Sequence, residues 1–277
     1  AQGLADDVRY YGRWMRAEAE KKIGHLYPKV KLKNGSDATV IAWLWARTVP
    51  SPDPRANGAH VPLVSSFLLS ARPGQEAVIK PAVDHVNMTW AFEVDDNPTE
   101  ADIEIARQGT KHGNGFRCLL TGAPMSFAAL REYGQTSRFG SRLLAIVAER
   151  RGGRVFVPAN AEHEERALEA KSPWHPDQSL EGKALGFRVP EYGLTTWGDL
   201  FSERQLVALT TFSDSVAATR DKVLLDARAH WSADNKNDQR RLSDGGSGPD
   251  AYADAVATYL TFTINRMADL QNSLCPW

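Results

Sequence analysis

Thr39–Ser70 reads TVIAWLWARTVPSPDPRANGAHVPLVSSFLLS. Two apolar runs flank a polar segment punctuated by Pro50, Pro52, Pro54, Asn57 and Gly58. In the first run Val40, Ala42 and Leu44 alternate with Ile41, Trp43 and Trp45. In the second, Leu63, Ser65, Phe67 and Leu69 alternate with Val64, Ser66 and Leu68. Period-two runs rich in β-branched and aromatic residues, separated by proline and Asn-Gly, predict two strands joined by a loop.

On the N-terminal side, Leu4, Val8, Tyr11, Met15 and Ala19 recur at helical spacing and end at Lys21, Lys22 and Gly24. This predicts an amphipathic helix of about five turns. Residues 29–37 form a polar connector. On the other side the strand signal continues to Pro158, through residues 77–79, 89–94 and the alternating Asp102-Ile103-Glu104-Ile105. Gly113-Asn114-Gly115 leads to Cys118, and no third glycine in register makes it a nucleotide fingerprint. Residues 127–133 predict a short helix. Residues 143–157 predict a hairpin, LLAIVAE and RVFV around Arg151-Gly152-Gly153.

The chain then turns helical. Residues 161–171 (AEHEERALEAK) form a short acidic helix that lacks the second His of H-E-x-x-H, which excludes a zinc-protease reading. A loop covers 172–190. Ser202-Glu203-Arg204-Gln205 is a capping box, opening a helix to about Trp231 with Leu206, Leu209, Val216 and Val223 on one stripe. Residues 232–248 read as a mobile polar loop, and Pro249 suits a first helical turn. Tyr252, Val256, Tyr259, Leu260, Ile264 and Met267 mark a wide apolar face. Its candidate partners are a catalytic sheet outside this chain, the first helix, or a second copy in a homodimer.

The net charge of −1 over 277 residues gives no bulk electrostatic case for nucleic acid, so any DNA contact must come from a local patch. Two cysteines far apart in sequence supply no disulfide framework and fit a reducing cytoplasm. No signal peptide or long apolar span is present, which argues against membrane partners. The opening at Ala1, almost directly into a helix, suggests an excised segment.

The phrases AWLWARTVP, PLVSSFLLS, LLAIVAER, AEHEER, ALGFRV, YGLTTWGDLFSERQLVALTTFSD and AYADAVATYL, in this order, carry a resemblance over nearly the whole chain. Together they resemble the large bacterial and archaeal adenine-specific DNA methylases that hold an internal zinc ribbon. In that family the first knuckle reads CPNPACG and the second C-x-x-CG. Here Ser51-Pro52-Asp53-Pro54-Arg55-Ala56-Asn57-Gly58 stands for the first, with Ser51 and Asn57 at the ligand positions. Cys118-Leu119-Leu120-Thr121-Gly122 stands for the second, with Thr121 replacing a thiol. Structural zinc takes four N or S ligands. His60 and His112 are close in sequence but occupy no knuckle position. The resemblance therefore implies a ribbon kept by its strands, without metal.

The family binds S-adenosylmethionine through an F-x-G-x-G turn and holds the flipped adenine with a DPPY-type tetrapeptide. This chain has no Pro-Pro dipeptide, and its glycine cluster, Asp244-Gly245-Gly246-Ser247-Gly248, follows no apolar strand. The resemblance implies that both motifs lie outside residues 1–277 and that this chain binds no cofactor and is inactive alone. The expected architecture is α+β: an N-terminal helix and connector (1–35), a β-rich zinc-ribbon-like centre (36–158) and a mainly helical C-terminal region with a helical pair (159–277). The expected function is the central, non-catalytic region of an adenine-N6 DNA methyltransferase of restriction–modification or phage defence. The alternative is a stand-alone binding or scaffold module descended from one.

Six arginines between 131 and 154 face only Glu132 and Glu149, a local charge of +4. Such a patch can neutralise phosphates without reading sequence. The DNA-binding candidates are Arg138, Arg142, Arg150, Arg151 and Arg154. Tyr192 and Trp197 join them as aromatics able to stack on a base, against the alternative that they anchor a core.

Overall fold

A computed structural model of the protein describes residues 2–150, 152–181, 188–231 and 234–274. The architecture is α+β, with an N-terminal helix, a strand-rich centre and a C-terminal helical pair. Two units form. A helical unit collects Ala1–Leu26, Ala167–Asp177 and Gly198–Pro276; a strand unit collects Tyr27–Arg166 and Gln178–Trp197. This division differs from the three consecutive segments 1–35, 36–158 and 159–277. The first helix leaves its sequence neighbours because its apolar stripe is covered by the helices at the other end of the chain.

In chain order the α-helices among the described residues are α1 (Gln2–Ile23), α2 (Glu100–Ala106), α3 (Phe127–Thr136), α4 (Ala161–Glu169), α5 (Glu203–His230) and α6 (Pro249–Leu270). Tyr11 and Met15 of α1 are buried with Val223 of α5 and Val256, Leu260 and Ile264 of α6, and Leu4 and Val8 pack at the edge. Burying one such aliphatic side chain contributes about 1.5–3 kcal/mol. α1, one of the candidate partners for α6, packs on this stripe together with α5. Tyr259, expected on the stripe, is half exposed, because one residue before Leu260 is a rotation of about 100° away from it.

Polar pairs tie the three helices. Tyr11 Oη donates to Asp226 at 2.9 Å and Tyr252 Oη to Asp7 at 2.6 Å. Asp254 accepts Arg220 Nε at 2.7 Å, Arg241 Nε at 2.6 Å and the Leu242 amide at 3.1 Å. Ser215 and Thr219 are buried within α5, and each donates its hydroxyl to the carbonyl four residues back at 2.7 Å. The capping box forms as expected: Gln205 N donates to Ser202 Oγ, and Ser202 N to Gln205 Oε1. Pro249 opens α6.

The strand unit begins with a two-stranded hairpin, β1 (Val30–Lys31) and β2 (Asp37–Ala38). β3 (Val40–Pro50), on the first expected run, pairs with β4 (His60–Leu63), which lies ahead of the second expected run and shares only Leu63 with it. β5 (Leu68–Ser70), β6 (Ala77–Asp84) and β7 (Thr89–Asp95) form a second antiparallel sheet, and β8 (Lys111–His112), β9 (Gly115–Arg117) and β10 (Pro124–Ser126) a third. The expected hairpin of β11 (Gly140–Arg150) and β12 (Gly153–Pro158) joins the first pair, giving the order β12-β11-β3-β4.

Three details correct the periodicity. The run Leu63–Leu69 is not one strand. It leaves β4 at Val64, where the Thr110 and Lys111 amides bond Val64 O, and resumes as β5 in another sheet. Val40 faces Trp43 and Trp45 rather than Ala42 and Leu44. Opposite it, Val147 pairs Ala42 and Ala148 pairs Val40, so Ile41 is a β-bulge that inverts the alternation. Residues 102–105 are helical, within α2. Thr99 and Asp102 form a reciprocal capping box, which starts a helix where four alternating residues suggested a strand. Trp43 and Trp45 are half-buried and pack against the core, and Trp43 Nε1 donates to Nδ1 of the buried His163 at 2.8 Å.

Candidate nucleic-acid interface

The β3–β4 turn is held by its own chemistry. Ser51 N donates to Ala59 O at 2.9 Å, and the Asn57 amide to Pro54 O at 3.0 Å. Asn57 takes the left-handed conformation at φ 46°, which asparagine tolerates better than most residues. Asp53 caps the turn, accepting the Arg55 amide at 2.9 Å and the Arg55 guanidinium at 2.7 Å. That guanidinium, then the amide, hold the Asp53 carboxyl at about 2.

The β9–β10 turn mirrors it. Cys118 N donates to Ala123 O and Gly122 N to Cys118 O, both at 2.8 Å. The two turns meet side chain to side chain. Ser51 Oγ lies 3.2 Å from Cys118 Sγ, and the Thr121 hydroxyl accepts the Ala123 amide at 3.4 Å. Beneath them Val49, Ala56, Val61, Leu120 and Met125 are buried together. Burial pushes the Cys118 thiol up, but hydrogen bonds from Ser51, Thr121 and the backbone outweigh it and leave the thiol below its ordinary value.

The knuckle positions Ser51, Asn57, Cys118 and Thr121 thus offer one thiol, two hydroxyls and an amide. That set does not fit zinc, which takes thiolate, imidazole or carboxylate ligands. Among the described residues no three His, Cys, Asp or Glu side chains converge to hold a metal ion. His60 instead meets Thr48 Oγ1 at 3.1 Å, and His112 Nε2 accepts from Arg117 at 2.9 Å.

The expected arginines do not form one surface. Arg142 and Arg150 sit near opposite ends of β11, roughly 26 Å apart at the rise of an extended strand. Arg142 is 3.4 Å from Glu164 and lies over the Trp90 ring. Arg150 shares a strand face with Ala148 and Ile146, whereas Arg154 pairs Glu149 on the other face. Arg138 precedes β11, its carbonyl reached by Tyr133 Oη at 3.4 Å. Arg151 lies outside the described residues.

Tyr192 packs beside Tyr133 and Phe139, with the Arg131 guanidinium 5.5 Å from its ring centre and paired to Glu191 at 2.8 Å. The next residue, Gly193 (φ 82°), presses its backbone on Gly134 of α3. A methyl group on Gly193 would run into the Gly134 carbonyl, and one on Gly134 into the Tyr192 carbonyl. Trp197 is different: half of it is exposed, in a turn anchored by its amide to Gln178 O at 3.1 Å.

Beside the second knuckle, the structure opens a cleft of about 660 Å³ that the sequence did not reveal. Arg55, His85, Lys111, His112 and Arg117 line it, and among the described residues no carboxylate does. His85 Nδ1 meets Leu120 O at 2.9 Å, a bond in which the nitrogen donates, and Nε2 makes no hydrogen bond among the described residues. Lys111 and Arg117 are exposed and meet no carboxylate among the described residues. The only available sequence signal was the basic spacing of Lys111, His112 and Arg117 across Gly113-Asn114-Gly115.

No helix among the described residues is long and apolar enough to cross a membrane. Comparisons with protein-family models, with characterised proteins and with solved structures return no match to this chain.

Proposed function

We propose that this chain is the central, non-catalytic region of an adenine-N6 DNA methyltransferase, acting in the cytoplasm to position DNA beside a catalytic portion. The observation that carries the reading is the meeting of Ser51 and Cys118 at 3.2 Å. The resemblance names two segments as the knuckles of one ribbon, and a ribbon requires their tips to touch. Knuckle positions filled by serine, asparagine and threonine favour a ribbon kept for its shape. S-adenosylmethionine belongs, on this reading, to the catalytic portion, and no chemical step is assigned to residues of this chain.

A stand-alone scaffold module is the second reading. It is favoured by large apolar side chains that the helical unit leaves exposed: Leu225 on α5 and Tyr259 and Phe262 on α6. A protein partner, or a second copy, would cover them.

The test is titration of labelled duplex and single-stranded DNA into the protein at two salt concentrations. Binding that weakens steeply with salt is the expected result, because phosphate neutralisation releases counterions. No binding at low salt would remove the DNA role and leave the scaffold reading.

A further inference from the structure

The cleft beside the second knuckle combines features that a general basic surface lacks. Three hairpins contribute to it: Arg55 from the β3–β4 turn, His85 and Met88 from the β6–β7 turn, and Lys111, His112 and Arg117 from β8–β9. Arg55 is already balanced by Asp53, so the uncompensated charge belongs to Lys111 and Arg117. Arg117 is oriented by its 2.9 Å bond to His112 Nε2, which leaves the rest of its planar donor fork for a ligand. An arginine fork matches the oxygens of phosphate, and lysine adds a mobile point charge. Met88, Leu119 and Leu120 supply apolar lining. Met88 closes the β6–β7 turn in the left-handed conformation, at φ 51°. A volume of about 660 Å³ lies within the range of small-molecule clefts.

We propose that this cleft is a phosphate-binding site that takes one nucleotide unit, with Lys111 and Arg117 on the phosphate and the Met88–Leu119 side against the sugar or base. The proposal rests on the DNA reading above only for the source of that phosphate, which is either a DNA strand or a free nucleotide.

The experiment compares wild type, Lys111→Ala/Arg117→Ala, and the charge-matched control Arg9→Ala/Arg266→Ala in the helical unit. Each is titrated with fluorescein-labelled hexathymidylate, read by anisotropy at several salt concentrations, and with dAMP, read by calorimetry. Both cleft residues are exposed, so equal thermal unfolding of all three proteins is the control for folding. For the oligonucleotide, the cleft variant is expected to lose about tenfold in affinity and to flatten the salt slope by roughly 1 to 2, with the control unchanged. Oligonucleotide binding that the cleft variant does not alter would overturn the site while leaving the DNA reading intact. Cleft-dependent binding of dAMP without oligonucleotide binding would keep the site and overturn the DNA reading. Failure of both probes to bind wild type would overturn the site as well.

Discussion

Ser51 Oγ and Cys118 Sγ lie 3.2 Å apart although 67 residues separate them. Their hairpins belong to different sheets: β3–β4 to the four-stranded one, β9–β10 to a three-stranded one. Backbone bonds join them just past β4, where Val64 O accepts the Thr110 and Lys111 amides, and at the knuckle tips the contact is made by side chains. These are the Ser51–Cys118 contact and the apolar cluster below.

This juxtaposition predicts that the knuckles can be rebuilt. Ser51→Cys/Asn57→Cys/Thr121→Cys, together with Cys118, would place four thiols at the ribbon positions. Titration with Co(II) is expected to give the strong visible absorption of a tetrahedral thiolate site, absent from wild type. A triple variant that binds no cobalt would show that the tips are not aligned as a ribbon.

Gly193→Ala is expected to destabilise the strand unit by about 2–4 kcal/mol. The substitution forces a side chain into a positive-φ position and against the Gly134 carbonyl. Urea unfolding followed by tryptophan fluorescence measures it. A loss under 1 kcal/mol would mean that the Tyr192–Gly193 turn stands off from α3.

Asp254 gives the helical unit an acid limit. Burial would raise its pKa, but Arg241 and Arg220 outweigh that and hold it at about 2, below the ordinary 3.8. A lowered folded-state pKa stabilises above the unfolded value and is lost as pH falls through the folded one. The unit should therefore lose about 2 kcal/mol between pH 4 and pH 2 through this group. Asp254→Asn should remove that part of the dependence, as seen by circular dichroism melts. An unchanged acid profile in the variant would contradict the assignment.

Arg142 and Arg150 should behave differently. Arg142 is engaged by Glu164 and Trp90, so Arg142→Ala is expected to cost about 0.5–1 kcal/mol of stability. Arg150 is exposed at the hairpin end, and Arg150→Ala should leave stability within about 0.5 kcal/mol while weakening DNA binding at low salt. Equal effects of both on DNA affinity would mean that the two ends of β11 contact one strand.

What was legible in the sequence was local. The β11–β12 hairpin, the Ser202–Gln205 box and Pro249 at the start of α6 each follow from a few neighbouring residues, and each forms as read. Asp102–Ile105 was misread because four alternating residues satisfy a strand template, whereas the deciding bond is the Thr99–Asp102 cap just ahead of them. Val40 was assigned to the wrong face because its bulge is set by pairing with a strand a hundred residues later. The arginine cluster illustrates the opposite error: density along the chain became dispersion in space once an extended strand separated its members. The cleft was invisible for the complementary reason. Arg55, His85 and Lys111 are each unremarkable in sequence and become neighbours only when three hairpins fold together.

The pairing of α1 with α5 and α6 also orders events during synthesis. α1 ends at Ile23 and α5 begins at Glu203, so the ribosome adds about 180 residues before the first partner of Tyr11 and Met15 exists. At roughly 5–20 residues per second, that leaves an adhesive helix uncovered for on the order of ten to forty seconds. During this interval the intervening strand unit has time to fold on its own, while nascent α1 remains a natural target for a holding chaperone.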